Sequence, residues 1–92
     1  MARAVITFKI MPESPDTDLA PITEQAMALA REGGAIGEMQ SKQEPIGFGL
    51  VAILILGMFK VESSEFDQLA EKMQKISGVQ SAEVYKMDLA LG

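Results

Sequence analysis

Residues 50–59 read LVAILILGMF, ten positions with no charge and no polar side chain. A run of this length, bounded by turn residues, is a buried strand with apolar side chains on both faces, and both faces of a strand are apolar only near the centre of a sheet. Preceded by Ile46–Gly49, it forms an uncharged stretch of fourteen residues with three glycines. A helix needs about 20 apolar residues to cross a bilayer, so this stretch is a strand and its preceding turn, not a membrane span.

Working outward, Arg3–Met11 alternates, with Ala4, Ile6, Phe8 and Ile10 on one side and Val5, Thr7 and Lys9 on the other. That period predicts a strand with one face turned to the core. Met11–Asp16 contains two prolines with Ser and Asp, and reads as a loop. A helix is expected from about Asp18, with Asp16, Thr17 or Asp18 as N-cap and Pro21 in the first turn. Leu19, Ile22, Ala26, Leu29 and Ala30 share its apolar face, and Gly33-Gly34 should end it with a left-handed residue. Ala35–Glu44 is polar and interrupted by Gly37, as suits an edge strand. Pro45–Gly49 reads as a turn. Past the central strand, Ser63 or Ser64 should cap a second helix with Phe66, Leu69, Ala70, Met73 and Ile76 as its buried stripe and Gly78 as its stop. Val79–Leu91 is the last strand, with Val79, Val84, Tyr85, Met87 and Leu89 as apolar members.

The order β-α-β-β-α-β makes two βαβ halves, residues 3–44 and 49–91. Right-handed crossovers put both helices on one face of the sheet. The expected fold is therefore α+β: a ferredoxin-like βαββαβ sandwich, a four-stranded antiparallel sheet with two helices on one face. At 92 residues the chain is expected to be one domain, 1–92. Only one sheet face is covered in this arrangement, so part of 50–59 should lie bare on the other, where a partner or a second sheet would dock.

Composition excludes much chemistry. There is no Cys and no His, so disulfides, thiolate nucleophiles, Cys-based zinc sites and Ser-His-Asp or Cys-His catalysis cannot come from this chain. Eight Lys and Arg, scattered along the chain, stand against thirteen Asp and Glu, for a formal charge of −5. Without a basic stripe, direct nucleic-acid binding is not expected, and attraction to an anionic membrane is disfavoured for the same reason. A protein partner with a basic surface suits the balance better. No targeting segment is visible at the N-terminus, and the expected location is cytoplasmic.

Candidate constellations mostly reduce to simpler readings. Glu13, Asp16 and Asp18 cluster in one loop, but their spacing lacks the calcium-loop pattern, and capping and solvated charge explain them. Acylphosphatase chemistry, which occurs on this fold, needs a phosphate-cradling loop with Arg and an Asn; this chain has no Asn. RNA readers on the same fold stack bases on aromatic residues of the central strands; here those strands carry only Phe8 and Phe59. Of the seven methionines, Met27, Met73 and Met87 are expected in the core and Met58 on the open face. The turn at 44–50, Glu-Pro-Ile-Gly-Phe-Gly-Leu, is different. Two glycines free the backbone around Phe48 and leave its ring little local cover. The ring either folds back on its own core or projects as an anchor for a partner's pocket.

Pro45-Ile46-Gly47-Phe48-Gly49-Leu50 resembles the signature of the elongation factor 1-beta family, the guanine-nucleotide exchange factors of translation. Lys9-Ile10-Met11-Pro12-Glu13-Ser14-Pro15-Asp16, followed by Asp18-Leu19, resembles the first strand and loop of the archaeal members. The resemblance spans the chain and implies the same ferredoxin-like fold. It implies a protein that binds elongation factor 1-alpha, GDP-bound and nucleotide-free, and speeds GDP release, with no cofactor, no metal and no catalytic residue of its own. It places Phe48 against the partner's nucleotide-binding domain, with Pro45, Ile46, Gly47 and Gly49 shaping the turn. Eukaryotic relatives use a Lys beside the C-terminal end to disturb the partner's Mg²⁺ site. Here the penultimate residue is Leu91 and the nearest cation is Lys86, so either Lys86 acts from further back or the Mg²⁺ site is displaced otherwise. The alternative is a ferredoxin-like ligand-binding or self-assembling regulatory module, in which the open face pairs with another sheet.

Overall fold

In a computed structural model that describes residues 3–60 and 66–90, the chain runs β1 (Arg3–Pro12), α1 (Leu19–Glu32), β2 (Ile36–Gly47), β3 (Leu50–Lys60), α2 (Phe66–Gln74) and β4 (Val79–Ala90). All pairings are antiparallel and the strand order is β2-β3-β1-β4. This is the ferredoxin-like arrangement, with the first strand of each half in the centre. Among the described residues, no helix is long and apolar enough to cross a membrane. The expected caps Ser63 and Ser64, and Leu91, lie outside the described residues.

Period 2 does what it predicts in the central strands. Ala4, Ile6, Phe8 and Ile10 of β1 and Ile53, Ile55 and Phe59 of β3 are fully buried, in one cluster with Ile22, Ala26 and Ala30 of α1 and Phe66, Leu69 and Met73 of α2. Phe59 stands edge-on between two rings, 6.2 Å from Phe8 and 5.2 Å from Phe66 between centroids. The alternate residues of β3, Leu54, Leu56 and Met58, are half-buried on the open face, as the doubly apolar run predicts. Their stripe is one strand wide: Leu54 lies between Lys42 and Lys9, and Leu56 between Gln40 and Thr7.

The helix signals are met with small adjustments. Asp18 is the N-cap of α1 and accepts a hydrogen bond from the Ala20 amide at 3.2 Å. The positive φ that ends α1 falls on Gly34 (+110°), while Gly33 stays right-handed. A side chain at Gly33 would meet Leu69 at 2.9 Å, because the two helices approach there.

Four expectations need correction. β2 continues through Pro45 and Ile46 to Gly47, so the turn is narrower than 45–49; Pro45 pairs with Val51 and Gly47 with Leu50. Pro45 is tolerated because β2 is an edge strand, where a missing N–H need not break a ladder. α2 ends at Gln74, four residues before Gly78, where the bonding tightens: the Lys75 amide donates to Lys72 and the Ile76 amide to Met73, each at 3.1 Å. Ile76 is still buried, just beyond the helix. Met87 is not core: it is 53% exposed, whereas Met73 is fully buried and Met27 packs at the core's margin. Tyr85 and Leu89 are exposed as well, so only Val79 and Val84 of the five apolar positions on β4 pack inward.

The described part of α2 is much shorter than β4. Among the described residues α2 spans nine and β4 twelve. At about 1.5 Å per helical residue and 3.3 Å per strand residue, α2 is roughly 14 Å long and β4 roughly 40 Å.

Candidate partner-binding turn

The β2–β3 hairpin closes in two residues, Phe48 and Gly49, between the paired Gly47 and Leu50. One extra residue on β2 between Pro45 and Gly47 makes a bulge that twists the strands into the turn. Phe48 has φ +55° and Gly49 φ +79°. Positive φ at both central residues of a two-residue loop is the signature of a type I′ turn, which Asn-Gly and Gly-Gly prefer. Glycine meets that demand at Gly49. Phe48 does not, and is the one non-glycine residue with positive φ among those described. A bulky residue held there costs about 1–3 kcal/mol.

The side chain gains nothing in exchange from its own fold. Phe48 is 100% exposed and Ile46 45% exposed, with Pro45, Gly47 and Gly49 exposed around them. The ring does not fold back on its own core; it projects into solvent. An exposed, strained aromatic residue at a turn points to a role outside the fold, because strain concentrates at binding sites.

The turn is supported from below by the β1–α1 loop. A Cβ at Gly49 would lie 3.3 Å from Pro15, so loop and turn are in van der Waals contact. That loop is held at both ends. The Glu13 amide donates to the Gly78 carbonyl at 2.9 Å, the Thr17 amide to the Ser14 carbonyl at 3.2 Å, and the Ser14 amide to Thr17 Oγ1 at 3.2 Å. Lys9–Asp16 and Pro45–Leu50, separate in sequence, thus meet at one end of the molecule. Glu13, Pro15, Asp16 and Asp18 are exposed beside the turn. The described residues hold no group of three carboxylates placed to bind a metal.

Lys86 is elsewhere. It lies on the edge strand β4 opposite Thr7, which in turn faces Leu56, six residues along β3 from the turn. At about 3.3 Å per residue that is roughly 20 Å from the hairpin tip. Its Nζ is 3.7 Å from Asp88 Oδ2, and both side chains are more than half exposed. An ion pair so exposed is worth about 0–1 kcal/mol, too little to immobilise the ammonium. The sequence offers Tyr85 only as an apolar member of β4, yet its ring lies 4.9 Å from Lys9 Nζ. Tyr85 is the extra residue of a β4 bulge, where the register shifts between Thr7 and Phe8. No period announces such a bulge.

With this geometry in hand, comparison with known proteins is informative. Residues 5–89 match the model of the family described as the EF-1 guanine nucleotide exchange domain. The chain is 34% identical over 89 residues to elongation factor 1-beta of Methanosphaerula palustris, covering 97% of this chain and 99% of that protein. It is 37% identical over 89 residues to the protein of that name from Methanoculleus marisnigri, with the same coverage. For the one from Pyrococcus furiosus the figures are 38% over 79 residues and 84% of each chain.

Proposed function

The chain belongs to the elongation factor 1 guanine-nucleotide exchange family, a family of translation elongation, and on that premise we propose that its target is elongation factor 1-alpha and that the Phe48 turn is its anchor. It binds the GDP-loaded GTPase, loosens GDP, and holds the nucleotide-free form until GTP enters. The observation that supports this reading is Phe48 itself, wholly exposed at a backbone angle that favours glycine. A rigid aromatic side chain on a supported turn loses little entropy on entering an apolar pocket, which is what makes interface hot spots.

Exchange is linkage. A protein that weakens GDP binding must itself bind the GDP form more weakly than the empty one, by the same factor. Each tenfold loss of GDP affinity requires about 1.4 kcal/mol of differential contact. No proton transfer is needed, which suits a chain without His or Cys. Pro45, Ile46, Gly47 and Gly49 act by presenting the ring. Lys86 is the second contact, acting on the partner's Mg²⁺ and phosphate region. A standard interface of about 800 Å² per side is roughly 30 Å across, wide enough to hold both.

The test is release of a fluorescent GDP from purified archaeal elongation factor 1-alpha in excess unlabelled GTP. Acceleration that rises with the concentration of this protein is expected. Unchanged release with several archaeal partners would overturn the target.

A further inference from the structure

Of the large hydrophobic residues exposed among those described, three lie on one strand: Tyr85 at 50%, Met87 at 53% and Leu89 at 68%. That strand, β4, is an edge of the sheet. Among the described residues, its outer backbone N–H and C=O groups face no neighbouring strand, the arrangement that templates pairing with another chain. The register of β4 shifts at Tyr85 and again at Gln80, both before Lys86. From Lys86 to Ala90 the strand keeps unbroken register with β1, and this segment contains no proline. Met87 and Leu89 face the same way as the buried Ile6 and Ala4, on the helix side of the sheet. Lys86 and Asp88 face the same way as Thr7 and Val5, on the open side.

We propose that a second copy of this chain covers the edge: β4 pairs antiparallel with β4 of the second copy about a two-fold axis through Met87, giving a continuous eight-stranded sheet. Charge selects that register. Centred on Met87, the pairing sets Lys86 opposite Asp88 of the second copy and Asp88 opposite its Lys86. Met87 meets its own equivalent on the helix side, while Tyr85, whose ring lies against Lys9 on the open side, does not meet Leu89. Centred on Lys86 or on Asp88, the same strand would set like charges directly opposite one another, which is unfavourable. A shift to an axis between two residues would put helix-side positions opposite open-face ones, which a continuous sheet forbids. The edge is thus self-complementary in charge and at Met87, as an isologous contact requires.

The contact is short and belongs with the small, transient class of interfaces, so it forms and dissolves with concentration. The pairing does not depend on the exchange reading. If Lys86 does contact the GTPase, the two uses of that side chain exclude each other, and self-pairing withdraws the chain from exchange.

Sedimentation velocity of the whole chain, from micromolar to millimolar concentration, tests the pairing. A reversible dimer is expected. Met87→Lys places two ammonium groups at the axis and should leave a monomer with an unchanged melting curve. Lys86→Asp sets carboxylate against carboxylate twice and should weaken the dimer about tenfold. Adding Asp88→Lys to it restores opposite charges and should restore the dimer. A monomer at every concentration overturns the proposal. So does a double charge reversal that stays as weak as the single one. A dimer insensitive to Met87→Lys but abolished by Leu56→Lys also overturns it, in favour of pairing through the open face.

Discussion

Phe59 and Phe48 belong to one hairpin, yet the first is 0% exposed and the second 100%. Phe59 follows the strand period onto the helix side and stands edge-on between Phe8 and Phe66. Burying such a side chain stabilises the fold by about 1.5–3 kcal/mol, and each edge-to-face pair adds about 0.5–1.5 kcal/mol. Phe48 sits where the period stops. Its ring is wholly in water, and its backbone is strained at φ +55°. The same residue type thus supports the core at one end of β3 and burdens stability beside the other. A residue that breaks local rules without structural compensation marks a site kept for another purpose.

The largest expected effect is at Phe59. Phe59→Ala removes the middle ring of the stack and should cost about 3–5 kcal/mol. The whole chain should have only roughly 5–14 kcal/mol of stability, so chemical denaturation will show a large shift. Phe48→Ala should do the reverse: stimulated GDP release falls about thirtyfold, the equivalent of about 2 kcal/mol, while the denaturation free energy moves by less than about 0.5 kcal/mol. Parallel losses in both assays would break the contrast between the two rings. Phe48→Asn sharpens it. Asn-Gly is preferred for a type I′ turn, so this variant should gain about 1 kcal/mol. It should melt about 4–8 °C higher while exchanging as poorly as the alanine variant. The smallest effect is at Met87→Ala, expected within about 0.5 kcal/mol of the parent in dilute solution because the side chain is exposed. A larger loss would mean that Met87 supports the fold as Met73 does.

The element order, the two central strands and the faces of both helices were legible because each rests on a local period. The uncharged run 50–59 could lie only near the centre of a sheet. The candidate turn was legible for the same reason: Gly47 and Gly49 isolate Phe48 in the chain as they do in space. The true width of the turn was not legible. Gly47 looks like turn chemistry, and its pairing with Leu50 is a property of two strands together. Nor was the contact of Pro15 beneath Gly49, which joins two distant motifs. Lys86 reads as the cation nearest the end of the chain. Its place some 20 Å from the hairpin tip follows from counting register across three strands.

Composition and period therefore determine the class of this protein: which strands lie inside, which helix faces are apolar, and which chemistries the absence of His and Cys removes. They do not determine which apolar residues are covered. Met73 and Met87 both sit on core patterns, yet one is buried and the other half in water. Coverage depends on how far a helix extends over a strand, and the nine described residues of α2 reach only about a third of the way along the twelve of β4. Whether Met87 and Leu89 on the helix side of β4 are covered is thus a relation between two elements that neither sequence segment contains alone.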